Sequence, residues 1–191
     1  MGLHIRRYNF AVASRLLAGA VVLVLGVSRL AAQEADMDEL FARLQKADAA
    51  EAGRIERLIE IEWSKSGSPS LDLLLQRGRE ALDNGDIPAA IEHLTALTDH
   101  APDFAEGWNM LAIAYYQEGE FGPSVEDLGR TLTLNPRHFR ALEGLGAIFE
   151  EIGEPEKALE VYKAALAIHP QMQSVLEAVK RIEAATAGQD L

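Results

Sequence analysis

The sequence predicts an all-α protein, an α-solenoid of three helix–turn–helix hairpins preceded by a helical pair and closed by a capping helix. Three observations predict it. Gly85, Gly119 and Gly153 recur 34 residues apart, and Pro102, Pro136 and Pro170 repeat with the same period. Between these punctuators run columns of matched size: Gly78, Ala112 and Gly146; Ala90, Ser124 and Ala158; and the large Leu74, Trp108 and Leu142. Apolar residues then recur at helical spacing, as in Ile91 with Leu94, Val125 with Leu128, and Leu159 with Tyr162.

The elements follow in chain order. Residues 1–32 carry Arg6, Arg7, Arg15 and Arg29 and no acid, which is the charge pattern of an export signal. Leu16 to Val27 supplies 12 uncharged residues. As a helix they would rise roughly 18 Å against a hydrocarbon core of about 30 Å, which suits a signal core better than a membrane span. The alternative is an uncleaved inner-membrane anchor. The small Ala32, two places after Leu30, marks the expected cleavage point. Tyr8, Asn9 and Phe10 after the paired arginines match the general secretory route better than twin-arginine export. The expected destination is the periplasm, with no membrane attachment after cleavage.

Residues 33–70 hold two amphipathic helices and a linker. Leu40, Phe41 and Leu44 mark the first helix; Ile55, Leu58, Ile59 and Trp63 mark the second. The connecting KADAA lacks the turn glycine and SGSPS at 66–70 breaks the 34-residue phase, so this pair is expected to cap the first repeat rather than form a fourth.

The repeats are units 71–104, 105–138 and 139–172. Glycine ends each first helix because the left-handed backbone used there penalises a Cβ. Asp86, Glu120 and Glu154 follow, bringing negative charge to the unpaired N–H groups of the second helix. Pro88, Pro123 and Pro155 fall in or before its first turn, where a missing N–H costs little. No single hairpin can bury its apolar face alone, so stacking supplies the core. Residues 173–191 are expected to form the terminal cap, with Ser174 at its start and a stripe of Val175, Val179 and Ile182.

The second unit, through Trp108, Leu111, Ala112, Tyr115, Gly119, Ser124 and Pro136, resembles a tetratricopeptide repeat. So does the third, through Leu142, Leu145, Gly146, Phe149, Gly153, Ala158, Tyr162, Ala165 and Pro170. The first keeps Gly78, Gly85, Ala90 and Pro102 but has Arg77 and Ala81 where its neighbours carry a leucine and an aromatic. The resemblance implies a concave groove, lined by the first helix of each unit, that takes an extended peptide or a helix. Helical geometry places Leu75, Arg79 and Leu82, then Asn109, Ile113 and Tyr116, then Arg140 and Glu143 on that face. Leu82, Ile113 and Tyr116 are candidate anchors, and Arg79, Asn109 and Arg140 candidate polar holds. Leu75 and Leu82 suit a supporting role inside the array equally well. The carboxylate clamp of some relatives is incomplete, because Leu75 and Arg79 replace its first lysine and asparagine and leave only Asn109 and Arg140.

Composition narrows the function further. Removal of residues 1–32 leaves 14 basic against 30 acidic residues, a net charge of −16, which argues against nucleic acid as a partner. The absence of cysteine excludes disulfides and thiolate-ligated metal. His93, His100, His138 and His169 show no metal-binding spacing, and the last three fall at interhelical turns, where a structural role is expected. No catalytic residue, metal site or cofactor motif emerges; the GLG at 144–146 lacks the preceding strand that a dinucleotide site needs. The expected activity is a non-catalytic adaptor that binds a protein or peptide, with a holdase-type chaperone or a regulatory subunit of an envelope enzyme complex as alternatives.

Overall fold

The computed structural model describes residues 36–187, so the expected signal segment lies outside them. The chain divides into two units, Met1–Leu40 and Phe41–Leu191. Of the first, the described residues 36–40 are helical. The second opens on helical residues 41–44 (α1) and continues through α2 (Ala49–Trp63), α3 (Pro69–Asp83), α4 (Ile87–His100), α5 (Ala105–Glu118), α6 (Phe121–Leu134), α7 (Phe139–Glu151), α8 (Pro155–Ile168) and α9 (Gln173–Ala187). Among the described residues there is no strand.

Helices α3 to α8 are the three expected hairpins. Gly85, Gly119 and Gly153 have φ of 71°, 83° and 77°, the left-handed conformation their place demanded. At Gly119 the chain closes with two bonds, Gly119 N–H to Tyr116 O at 3.0 Å and Glu120 N–H to Tyr115 O at 2.9 Å, which satisfy carbonyls left over at the end of α5. The other two turns repeat the longer bond, Asp86 to Ala81 at 2.9 Å and Glu154 to Phe149 at 2.8 Å. Of the three acids that follow, Asp86 caps its helix by accepting from the Ala89 N–H at 3.2 Å, whereas Glu120 and Glu154 occupy the cap position without a side-chain bond.

Each helix from α3 onward packs on its chain neighbour, and α3, α5 and α7 also touch in succession, so the first helices line one common face. The small columns allow this approach. A Cβ on Gly146 would overlap the Tyr162 ring, and one on Gly78 the Leu94 side chain. Ser124, in the other small column, donates to the Ala112 carbonyl at 2.7 Å and so ties α6 to α5. Gly146→Ala is expected to cost about 1–3 kcal/mol, because Tyr162 must leave a rotamer in which its hydroxyl donates to Glu150 at 2.8 Å. Urea unfolding of the two proteins checks this.

Two end elements differ from expectation. The linker 66–70 is shorter than read, since Pro69 and Ser70 already form the first turn of α3. Ser174 lies inside the first turn of α9 and donates to Glu143 Oε1 at 2.5 Å instead of capping its helix. The buried stripe of α9 is Val175, Ala178 and Ile182.

One buried acid has no compensating partner. Asp127 of α6 is 7% exposed, and its Oδ2 accepts no hydrogen bond from the protein. Burial, and next the charge of Glu126, push its carboxyl up to about 6 from 3.8. The folded pKa exceeds the unfolded value, so this group favours folding below pH 3.8 and the advantage is lost as the pH rises through about 6. Asp127→Asn is therefore expected to raise Tm near neutral pH and to leave it almost unchanged near pH 4, as thermal melts at the two pH values would show.

Candidate functional site

Helix α2 does not cap the first repeat. Its last turn lies instead against the start of α7, where the Trp63 indole stacks on His138 with centroids 4.1 Å apart and 16° between planes, and meets Phe139 at 5.0 Å. Glu60 and Glu56, one and two turns earlier, meet Arg140 of α7. The Arg140 Nε donates to Glu60 Oε1 at 3.0 Å and Nη1 to Glu143 Oε2 at 2.9 Å, while Nη2 is ion-paired with Glu56. His169, after α8, approaches the other Glu56 oxygen at 3.3 Å. Ser64, just past α2, accepts from Arg79 of α3 at 2.9 Å. The physical reason is a match of faces: Glu56, Glu60 and Trp63 share one side of a helix whose Ile55 and Ile59 are fully buried, and that side finds the Arg140 cation and the His138 and Phe139 rings at the start of α7.

The charges are mutually consistent. The hydrogen bond from His169 and, against the opposing effect of burial, the charge of Arg140 hold the Glu56 carboxyl below its usual range. Burial draws the Arg140 guanidinium down, but the bonds to Glu60 and Glu143 and the charge of Glu56 outweigh it and hold the group charged.

A cleft of 590 Å³ opens between α2 and the first helices of the repeats, lined by Arg57, Ile61, Trp63, Arg79, Met110, Ile113, His138 and Arg140 among others. Beside it, sharing Asn109, Ile113 and Arg140, lies an apolar notch of 70 Å³ formed with Tyr116, Leu128, Gly144, Ala147 and Ile148. Gly144 and Ala147 leave the α7 side of the notch bare, which gives room for one apolar side chain.

The structure sorts the eight expected site residues. Ile113 and Tyr116 line the open notch and are half-buried. Arg79 lies on the cleft, ion-paired with Glu106. Arg140 lies there too, but held by α2. Asn109 is 4% exposed and donates to Glu106 Oε2 at 3.3 Å. Glu143 accepts from Arg140 and Ser174. Leu75 and Leu82 are corrected to the supporting role: both are buried in a cluster with Leu94, Leu97 and Leu111, while Arg79 of the same helix reaches the cleft.

Sequence reasoning missed the site roles of Glu56, Glu60 and Trp63, and gave Glu106, on the same helix face as Asn109 and Ile113, no role. The first three repeat at i, i+4 and i+7, a one-face signal that was open to reading but says nothing of which surface receives it. Glu106 is 7% exposed and gathers Arg79, Asn109 and His138, whose Nε2 stands 3.1 Å from it. His138 Nδ1 accepts the Ala141 N–H at 3.1 Å, so Nε2 carries the proton and donates to Glu106. This histidine caps the start of α7, a structural task at a turn. Among the described residues no group of three or more metal-ligating side chains stands together.

A tetratricopeptide repeat family model matches residues 75–122 and 124–172. A TPR repeat-containing protein of Rhizobium etli is 33% identical over 153 residues, covering 80% of this chain and 75% of its own. Hsp70-Hsp90 organizing protein 1 of Glycine max is 26% identical over 139 residues, 72% of this chain but 24% of that protein. Among solved structures, the MamA crystal structure aligns with a TM-score of 0.59 at 23% identity over 78% of this chain and 85% of that one. The first TPR of Spaghetti (RPAP3), bound to the HSP90 peptide SRMEEVD, gives 0.59 at 22% identity over 61% and 93%. These two likenesses carry the fold.

Proposed function

This chain belongs to the tetratricopeptide repeat family, and we propose that it is an exported, non-catalytic scaffold that holds a protein partner on the face formed by α3, α5 and α7. The observation that carries the reading is the apolar notch at Ile113 and Tyr116, continuous with a cleft whose Ile61 is 55% exposed. Half-open apolar positions beside fixed charges are what a peptide or helix needs to bind in one register. The RPAP3 repeat domain, bound to the HSP90 peptide SRMEEVD, supports a peptide-binding role. The carboxylate clamp does not carry over, since Asn109 and Arg140 are already engaged by Glu106, Glu56, Glu60 and Glu143.

Export rests on the cationic, acid-free start and the short apolar run before Ala32. N-terminal sequencing of protein recovered from the envelope fraction is expected to begin within a few residues of Gln33; an intact Met1 in the membrane fraction would contradict it.

The binding reading is tested by crosslinking pull-down with Ile113→Glu combined with Tyr116→Ala. A charge in the notch and loss of the ring are expected to reduce recovery of partners by about tenfold or more, as for removal of a central anchor. Unchanged recovery from a folded variant would remove this face from the function.

A further inference from the structure

The contacts of α2 describe a ligand as much as a structural element. It meets the third repeat through side chains: Glu56 and Glu60 on Arg140, Glu56 on His169, and Trp63 on His138 and Phe139. Each receiving group sits on or immediately beside the first helix of the third repeat, the same helix that borders the notch. Without α2, that surface would present the Arg140 cation beside the rings of His138, His169 and Phe139, a cationic and aromatic patch in a chain with net charge −12. The acids and the indole of α2 complement it in both charge and shape. Ser64–Ser68 then leads straight into α3, with Gly67 at φ 81° supplying a bend in the connection.

Resting on the reading of this face as a binding site, we propose that α2 is a resident ligand of the groove. The partner that replaces it is a helix carrying carboxylates at i and i+4 and an aromatic side chain at i+7. Displacement also uncovers Ala52, Ile55 and Ile59, so the partner helix must carry apolar residues at i−4, i−1 and i+3 as well; the exchange is then one of ion pairs, stacked ring and apolar burial for an equivalent set, and a modest surplus decides it. It finds that surplus by extending its apolar face over the notch at Ile113, Tyr116 and Ala147, which α2 leaves open. Arg140 keeps Glu143 throughout and is not stranded during the exchange.

The probe is a labelled synthetic helix with the sequence of residues 48–64, titrated into the chain from residue 33 onward. Wild-type protein is expected to bind it weakly, because the resident copy competes at high effective concentration. Glu56→Ala with Glu60→Ala, and separately Trp63→Ala, are each expected to tighten binding by about tenfold or more. Adding Arg140→Ala to the first pair should abolish the gain, and a probe with alanine at positions 56, 60 and 63 should not bind. Circular dichroism establishes that each variant is folded. If the alanine variants fail that check, hydrogen exchange on wild type decides: excess probe is expected to deprotect α2 amides while α4, α6 and α8 remain protected. Folded variants that bind the probe no better than wild type, or an α2 that stays protected under excess probe, would overturn the proposal. The scaffold reading fails separately, on the Ile113 and Tyr116 pull-down, which does not require α2 to move.

Discussion

Phe139→Ala is expected to lower the unfolding free energy by about 3–5 kcal/mol, the largest loss from any single side chain around the site. The ring is fully buried at the first position of α7. Trp63 lies over it at 5.0 Å, and His169 meets it edge-on at 5.2 Å with 82° between planes. It is thus covered by α2 on one side and by the turn after α8 on another. Removal leaves a cavity whose walls belong to three separate segments, and the stacked Trp63–His138 pair restricts their collapse. Phe139→Leu retains most of the volume and is expected to cost under about 1.5 kcal/mol. Urea unfolding of the three proteins gives both numbers, and a loss for Phe139→Ala near that of Phe139→Leu would show the site to be loosely packed.

The second large effect is expected from Arg140→Glu. This substitution removes the cation shared by Glu56, Glu60 and Glu143 and adds a fourth carboxylate among them. Breaking a buried pair costs about 3–5 kcal/mol, and since the Arg140 side chain is 40% exposed, solvent reduces the expected loss to about 2–3 kcal/mol. The loss should appear first as release of α2, seen in hydrogen exchange before global unfolding. It should also depend on pH. The Glu56 carboxyl is held below its unfolded value of 4.5, so its pairing stabilises the fold above that pH and is lost as the pH falls through the folded value. The difference between wild type and Arg140→Glu is therefore expected to shrink in acid. A difference that persists unchanged at low pH would place the effect elsewhere than in these ion pairs.

The two kinds of structural information in this chain had different legibility. The hairpins were readable because their determinants are local and periodic: a left-handed glycine, a proline after the second helix and a small residue at each close approach recur every 34 residues. The buried state of Leu75 and Leu82 was less readable, since helical phase identifies a face without saying whether a neighbour covers it. The seat of α2 was not readable at all. Trp63 and His138 are distant in sequence and joined by side chains alone, and the amphipathic pattern of α2 would suit a cap on the first repeat equally well. What selects the observed place is the pairing of Glu56 and Glu60 with Arg140, a complementarity between segments that no single window contains. Arg140 itself is read from the sequence as a polar hold, and the structure supplies intramolecular partners for it in Glu56, Glu60 and Glu143.

The central claim, that α2 occupies the face of the repeats proposed for binding, is tested most directly by proton–proton contacts in solution. Nuclear Overhauser spectra of the folded chain are predicted to show cross-peaks from the Trp63 indole to the rings of both His138 and Phe139, as the stacked and tilted geometries require. Their absence, with the Trp63 indole instead giving cross-peaks to α3 and α4 or none beyond its own helix, would contradict it.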